Sequence, residues 1–120
     1  MKKRAIFLIP AMFFCFIACN KDDAGVLIRV NNNTSADLKK VLVNGKGFEN
    51  VESSVITSYQ SFENALSIPV ATLITPENDT VYAGKIYFDW IEHLANGKYT
   101  LKIYEDTATL SGYDCVYIKD

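Results

Sequence analysis

The chain holds few residues that could carry out acid–base or nucleophilic chemistry. His93 is its only histidine, and its three cysteines are Cys15, Cys19 and Cys115. Catalysis of that kind needs a nucleophile, a base or paired carboxylates placed together. His93 ends a predicted strand with no serine or cysteine close in sequence, and no basic neighbour lies beside Cys115 to activate its thiol. We therefore expect no catalytic residue and no enzymatic activity.

Metal-binding patterns are equally weak in the sequence. No histidine–cysteine cluster has the spacing of a zinc site. Three asparagines at 31–33 and Asp37 crowd one predicted turn, and residues 78–79 lie in another. Calcium takes six to eight oxygen ligands, usually with several carboxylates, whereas each turn offers one. Solvated turns are favoured, with calcium left as the alternative, and we expect no metal and no cofactor.

The clearest chemical signal lies at the N-terminus and concerns export. Residues 2–4 are all basic, residues 5–17 form an apolar run, and Ala18 places a small residue before Cys19. These are the marks of a cleaved secretory signal. Thirteen residues of helix span roughly 20 Å, which is short of the roughly 30 Å hydrocarbon core of a bilayer. We predict that residues 1–18 are a signal peptide rather than a membrane-spanning helix.

The residues around the cut resemble the lipobox of bacterial lipoproteins, in which the cysteine receives diacylglycerol on its sulfur and becomes the new N-terminus. The sequence Phe-Ile-Ala-Cys at 16–19 has phenylalanine where leucine is usual, a looser form familiar from Bacteroidota lipoproteins. In that group a lysine followed by acidic residues acts as a surface-export signal, which Lys21, Asp22 and Asp23 resemble. An ordinary signal peptide with a chance cysteine is the alternative.

That resemblance implies a lipoprotein of the small Bacteroidota type, of unknown function, with Cys19 carrying diacylglycerol and palmitate. It also implies an outer-membrane location, at the cell surface or, as the alternative, on the periplasmic face. The order of turns and strands in the domain looks like the same group of proteins. We expect the membrane to be contacted through this lipid anchor.

Charge narrows the classes of partner. Removing residues 1–18 leaves 102 of the 120 residues, with nine basic and fourteen acidic side chains and a net charge of −5. An acidic domain without a basic stripe argues against nucleic acid as a partner. It also argues against attraction to anionic lipid headgroups. The lipid is therefore expected to be the only membrane contact.

The mature chain is predicted to contain one domain behind a short tether. Residues 19–25 form the tether, which reaches at most roughly 20 Å when extended, and residues 26–120 form the domain. Cys15 leaves with the signal and Cys19 is acylated, so that Cys115 has no disulfide partner in the chain. The domain must be held together by its apolar core.

Alternating apolar residues and turn signals predict strands along the whole domain. The Asn-Gly pairs at 44–45 and 96–97 are strong hairpin signals, and residues 53–62 are interpreted as a turn and an extended edge. Residues 107–119 hold a last strand pair or one strand broken near Gly112. The clear strands are residues 26–30, 38–43, 48–51, 67–74, 80–93 and 98–104. We predict an all-β fold, a single antiparallel β-sandwich of immunoglobulin-like, Greek-key architecture, with a barrel as the alternative.

Two further patterns concern the surface. Asp79-Thr80-Val81 and Asp106-Thr107-Ala108 resemble the Asp-Ser/Thr-apolar acceptor for O-glycosylation of exported Bacteroidota proteins, with Thr80 and Thr107 as acceptors; chance is the alternative. Four tyrosines are predicted on the strand face opposite the most apolar run: Tyr87, Tyr104, Tyr113 and Tyr117.

Tyrosine rings with one wet edge suit a glycan or a surface protein, and an ordinary half-exposed sheet is the alternative. The sequence therefore favours a non-catalytic binding or interaction module. The alternative is a structural accessory subunit of an envelope complex.

Overall fold

The structure is a computed structural model that describes residues 25–84 and 92–120. The predicted signal peptide, Cys19, the export-like residues Lys21, Asp22 and Asp23, and Tyr87 lie outside these residues. In the described ranges, no helix is long and apolar enough to cross a membrane. The strands there are β1 (Val26–Asn33), β2 (Leu38–Val43), β3 (Lys46–Val51), β4 (Gln60–Phe62), β5 (Val70–Ile74), β6 (Thr80–Gly84), β7 (Gly97–Glu105) and β8 (Tyr113–Lys119).

These strands form two packed four-stranded sheets, which confirms the predicted β-sandwich. One sheet has the order β4-β1-β7-β8 and the other β3-β2-β5-β6. Most neighbours are antiparallel, as predicted, but β1 runs parallel to β7, with Val26 opposite Gly97 and Asn33 opposite Tyr104. The two strands therefore start at the same end of the sandwich, where the amide of Gly97 donates to the carbonyl of Gly25 at 3.0 Å.

The end of the sandwich where the chain enters at Gly25 is called the tether end. It also holds the β2–β3 hairpin, in which Asn44 and Gly45 have φ of 48° and 84°, the left-handed values that an Asn-Gly turn supplies. The opposite end is called the far end. Strands are joined there by residues 34–37, 75–79 and 106–112.

Several boundaries differ from the sequence prediction for physical reasons. β1 continues through the three asparagines because residues 31–33 pair with residues 102–104 of β7. β5 begins at Val70, after Pro69, since proline cannot donate to a sheet ladder. β8 is one strand that follows a turn ending at Gly112, which settles the alternative left open for residues 107–119. The remainder of the strand predicted over 80–93 lies partly outside the described residues.

The core lies between the inner faces of the two sheets. Alternation places Val26, Ile28 and Val30 of β1 inward, and the same period places Leu101 and Ile103 of β7 inward. Burying a side chain of this size contributes about 1.5–3 kcal/mol relative to leaving it in water. The largest apolar side chains with at most 1% exposure are Ile28, Leu38, Leu73, Leu101, Ile103, Val30, Val41, Val43 and Val51.

Candidate binding surfaces

The tyrosines expected to share one face are separated by the pairing of β7 with β8. Tyr104 lies opposite Asp114, while Tyr117 lies opposite Leu101, a fully buried core residue. Residues directly opposite in an antiparallel pair point to the same side of the sheet. Tyr104 is therefore on the outer face, whereas Tyr113 and Tyr117 pack against the core. The single tyrosine face is corrected accordingly, and Tyr87 lies outside the described residues.

The inward position of Tyr117 also determines its contacts and the protonation state of its hydroxyl. Its ring meets that of Tyr99 edge-on with centroids 6.1 Å apart, and its hydroxyl accepts from Asn44 Nδ2 at 3.4 Å. Burial raises the pKa of Tyr117 to about 12, so that the phenol is neutral at any physiological pH. Tyr117 is a core residue rather than a ligand platform.

A network of polar side chains lies at the tether end, on the outer face of the β4-β1-β7-β8 sheet. The Asp120 carboxylate accepts from the Tyr59 hydroxyl at 2.6 Å and from Thr100 Oγ1 at 2.8 Å. Arg29 Nε donates to Thr100 Oγ1 at 3.0 Å, and the guanidinium lies 4.8 Å from the centroid of the Tyr59 ring. The network ties β1, β7 and the segment before β4 together.

Two acidic groups of that network, the Tyr59 phenol and the Asp120 carboxyl, are joined by one hydrogen bond. The hydrogen bond from Tyr59 lowers the pKa of Asp120, helped by Thr100 and Arg29. The same hydrogen bond raises the pKa of Tyr59. Both shifts keep the proton on the phenol and the charge on the carboxylate. The stabilisation is therefore present above the ordinary carboxyl pKa and is lost as the pH falls through the lowered value.

The two residues considered for catalysis lie in different settings, since Cys115 is buried and His93 is exposed. Cys115 is a free thiol, 4% exposed, and burial followed by the charge of Asp114 raises its pKa to about 12. A neutral, buried thiol is a poor nucleophile. His93 is exposed, and its backbone forms an isolated antiparallel β-bridge with Leu66. Within residues 25–84 and 92–120, no group of three or more His, Cys, Asp or Glu side chains could hold a metal ion.

The two predicted glycosylation acceptors are both on the surface. Thr80 is the exposed first residue of β6, and Thr107 is exposed in the turn between β7 and β8. The structure places both hydroxyls where an enzyme could reach them. The asparagines at 31–33 do not form an open cation site, because Asn32 is fully buried and its side chain is occupied by hydrogen bonds inside the protein.

The most unusual surface lies where the β7–β8 connection meets β6. Leu110 is fully exposed, at 109% of its reference area, and Tyr82 is 63% exposed. A groove of about 440 Å³ separates them. We call this surface the Tyr82–Leu110 corner; its lining residues are Tyr82, Gly84, Ala108, Thr109, Leu110 and Ser111.

The loop that presents Leu110 is held in one shape by its own hydrogen bonds. Asp106 Oδ1 accepts from the amide of Ala108 at 2.9 Å, and the amide of Asp106 donates to the carbonyl of Gly112 at 2.9 Å. Thr109 Oγ1 lies 3.2 Å from the Tyr113 carbonyl and accepts from the amide of Gly112 at 3.0 Å. These hydrogen bonds brace the backbone of the loop, and the Leu110 side chain that it carries is fully exposed to solvent.

Such an arrangement suits an apolar contact with another molecule. Exposed apolar residues that lie together beside a groove are typical of surfaces that contact another molecule, whereas single exposed apolar residues are common. Among the described residues that line the corner, none is charged at neutral pH, and the side chains that are most exposed are the ring of Tyr82 and the apolar chain of Leu110. A second groove, of about 330 Å³, lies at the tether end and is lined chiefly by Leu42, Leu66, Ile68, Val70 and Ala71.

Sequence reasoning did not find the corner. Because residues 107–119 are interpreted as strand, nothing distinguishes Leu110 from the other apolar residues of that segment. The signal that could have revealed it is its setting, a single leucine between Thr109 and Ser111 just before Gly112. Tyr82 has no comparable signal, because its exposure depends on which face of β6 meets the core, and it is the adjacent Ala83 that does so.

Comparison with protein-family models, curated proteins and solved structures finds no match to this chain.

Proposed function

We propose that the protein is an exported, lipid-anchored, non-catalytic binding module of the outer membrane that contacts a protein partner through the Tyr82–Leu110 corner. The observation that carries the binding function is the full exposure of Leu110 on a braced loop. The anchor rests on the lipobox-like residues before Cys19, six residues ahead of Gly25. The surface-export resemblance of Lys21, Asp22 and Asp23 favours display at the cell surface.

The chemistry of the corner supports a protein partner over a glycan. Sugars are bound by aromatic rings together with several free hydrogen-bonding side chains, but the hydroxyls of Thr109 and Ser111 are engaged within the loop. Thr109 Oγ1 and Ser111 Oγ both lie 3.2 Å from the Tyr113 carbonyl. What the corner offers outward is a leucine and a tyrosine ring. Tyrosine is enriched at protein interfaces because it combines a large apolar body with one polar tip.

The anchor is tested by the variant Cys19→Ala. We expect this protein to move from the membrane to the soluble fraction and to lose incorporation of labelled palmitate, since two or three acyl chains are needed for lasting attachment. Cys15→Ala is the matched control, because Cys15 lies inside the predicted signal and its removal should change neither result. Full palmitate labelling of Cys19→Ala would refute lipidation at this cysteine.

The binding surface is tested by photo-crosslinking in intact cells. A benzophenone amino acid at position 110 should give a discrete adduct, and Tyr82→Ala should reduce that adduct at least fivefold. The same probe at position 55 is the control, because Val55 is also an exposed apolar residue, at 38%, but lies outside the corner. Equal adducts from positions 110 and 55, or an adduct insensitive to Tyr82→Ala, would argue against the corner.

A structural accessory subunit is the second candidate, and one observation favours it. Val116 and Ile118 project from the outer face of β8 and are 40% and 45% exposed. Among the described strands, β8 lies at the edge of its sheet, and edge strands with apolar residues readily pair with other chains. A probe at position 116 that gives a stoichiometric adduct, with none from position 110, would favour this function.

A further inference from the structure

The two ends of the sandwich differ in charge. The far-end connections and the strand ends beside them hold Asp37, Glu52, Glu77, Asp79, Glu105 and Asp106, and no lysine or arginine. Lys39 reaches this end from β2, where its ammonium donates to Asn78 Oδ1 at 2.8 Å. Asp114 of β8, like Lys39 of β2, is the second residue of its strand, so it offsets Lys39 and the six carboxylates leave the far end strongly acidic.

The tether end is close to neutral. Its hairpin, turns and strand ends hold Lys46, Lys98 and Lys119, against Glu63, Glu92 and Asp120. Strand pairing places the three lysines at this end. Lys46 lies opposite Val43 at the β2–β3 hairpin, Lys98 lies opposite Leu27, and Lys119 lies opposite Tyr99. The undescribed residues lie outside this count: residues 20–24 hold one lysine and two aspartates, and residues 85–91 hold one lysine and one aspartate.

The difference in charge between the two ends matters beside a bilayer, because the ends lie at different distances from its surface when the domain stands upright. The eight residues of β1 rise about 25 Å from the tether end to the far end. The field of an anionic leaflet decays with a Debye length of about 8 Å at physiological ionic strength. An upright domain therefore keeps its six far-end carboxylates about three Debye lengths from the surface, while a domain lying on its side brings part of them into the field.

We propose that this separation of charge orients the domain on anionic membranes, with the neutral tether end against the lipid headgroups and the acidic far end outward. The orientation rests on the proposed anchor at the N-terminus. It refines the expectation drawn from net charge, since repulsion acts on one end of the domain and not on the other. It also keeps the connection 106–112, which begins and ends at the far end, accessible to a partner in solution.

The experiment supplies its own anchor, so that its outcome does not depend on lipidation of Cys19. The mature chain 20–120 with an N-terminal polyhistidine tag is bound to vesicles that contain a nickel-chelating lipid and an acceptor dye. One donor dye is placed at Asn96→Cys, at the tether end, or at Thr107→Cys, at the far end; both positions are exposed. Cys115 is buried and should not be labelled.

On vesicles with about one third phosphatidylglycerol at low salt, energy transfer from position 96 should exceed that from position 107 at least twofold. This ratio should fall on phosphatidylcholine vesicles and in 0.5 M salt, where the surface field is absent or screened. A ratio that is unchanged across lipids and salt would overturn the proposal. Stronger transfer from position 107 would also overturn it and would indicate that the loop of Leu110 inserts into the bilayer.

Charge-reversed variants separate orientation by charge from orientation by tether position. The variant Glu52→Lys, Glu77→Lys and Asp79→Lys removes the net acidity of the far end and should lower the ratio on anionic vesicles. Glu63→Lys and Glu92→Lys at the tether end are the matched control and should raise it. All five residues are exposed, and circular dichroism would confirm that each variant is folded. Equal ratios in the two variants would refute the charge mechanism.

Discussion

Replacing Asn32 with alanine is expected to lower the free energy of unfolding by about 3 kcal/mol. Asn32 is fully buried in a core that is otherwise almost wholly apolar. Its amide nitrogen donates to the carbonyls of Ala36 and Val51, both at 2.8 Å. Its oxygen accepts from the amide of Thr34 at 3.1 Å and from the Thr34 hydroxyl at 2.6 Å. Alanine would leave these buried partners without hydrogen bonds.

The size of the effect follows from what is left behind. A buried group that loses its partner costs about 1–3 kcal/mol, because it had already given up its bond to water. Asn32 serves several such groups, and some of them would find new partners as the structure relaxes. A net loss of about 3 kcal/mol is also in the range of large core substitutions.

Asn33→Ala is the matched control for this prediction. Asn33 is the next residue of β1, points outward and is exposed, so its replacement should change the free energy of unfolding by less than about 0.5 kcal/mol. Urea denaturation of both variants measures the difference through the midpoint at constant slope. A loss below about 1 kcal/mol for Asn32→Ala would contradict the prediction, since it would mean that the buried partners of the amide cost little when they lose it.

The role of Asn32 illustrates what the sequence can and cannot predict. The alternation of apolar residues predicts the strands and the sandwich, because the period of two is set by the backbone itself. The three asparagines at 31–33 read as a turn, since asparagine favours such conformations. Tertiary pairing with β7 overrides that local preference, and nothing local to β1 encodes a parallel partner seventy residues away.

The candidate site was less accessible to sequence reasoning for the same reason. Which side a tyrosine faces depends on strand register, and the register of β7 with β8 places Tyr104 outward and Tyr117 inward. Exposure at the corner depends on a turn whose bracing hydrogen bonds link Asp106 with Gly112. These contacts join residues across a loop, and the amino-acid composition of the loop does not predict them. The anchor is the opposite case, because its signal is wholly contained in consecutive residues.

Gly84→Ala is expected to lower the free energy of unfolding by about 4 kcal/mol. Gly84 ends β6 opposite Val70 and has a φ of 97°, a value that side-chain-bearing residues rarely adopt. A Cβ atom there would lie well under 3.0 Å from the backbone carbonyl oxygen of Pro69. The conformational strain of a positive φ costs about 1–2 kcal/mol. The collision adds more because its other partner is main chain, which cannot rotate away.

Gly112→Ala provides a matched control that separates strain from collision. Gly112 has a similar φ of 84°, but no atom lies within 4 Å of where its Cβ would be. Its replacement should therefore cost only the strain, about 1–2 kcal/mol, when thermal or urea unfolding of the two variants is compared. Equal losses would mean that the backbone of Pro69 yields to the new methyl group. A larger loss for Gly84 means that β6 approaches Pro69 as closely as a bare backbone allows, which makes glycine the only residue that fits there.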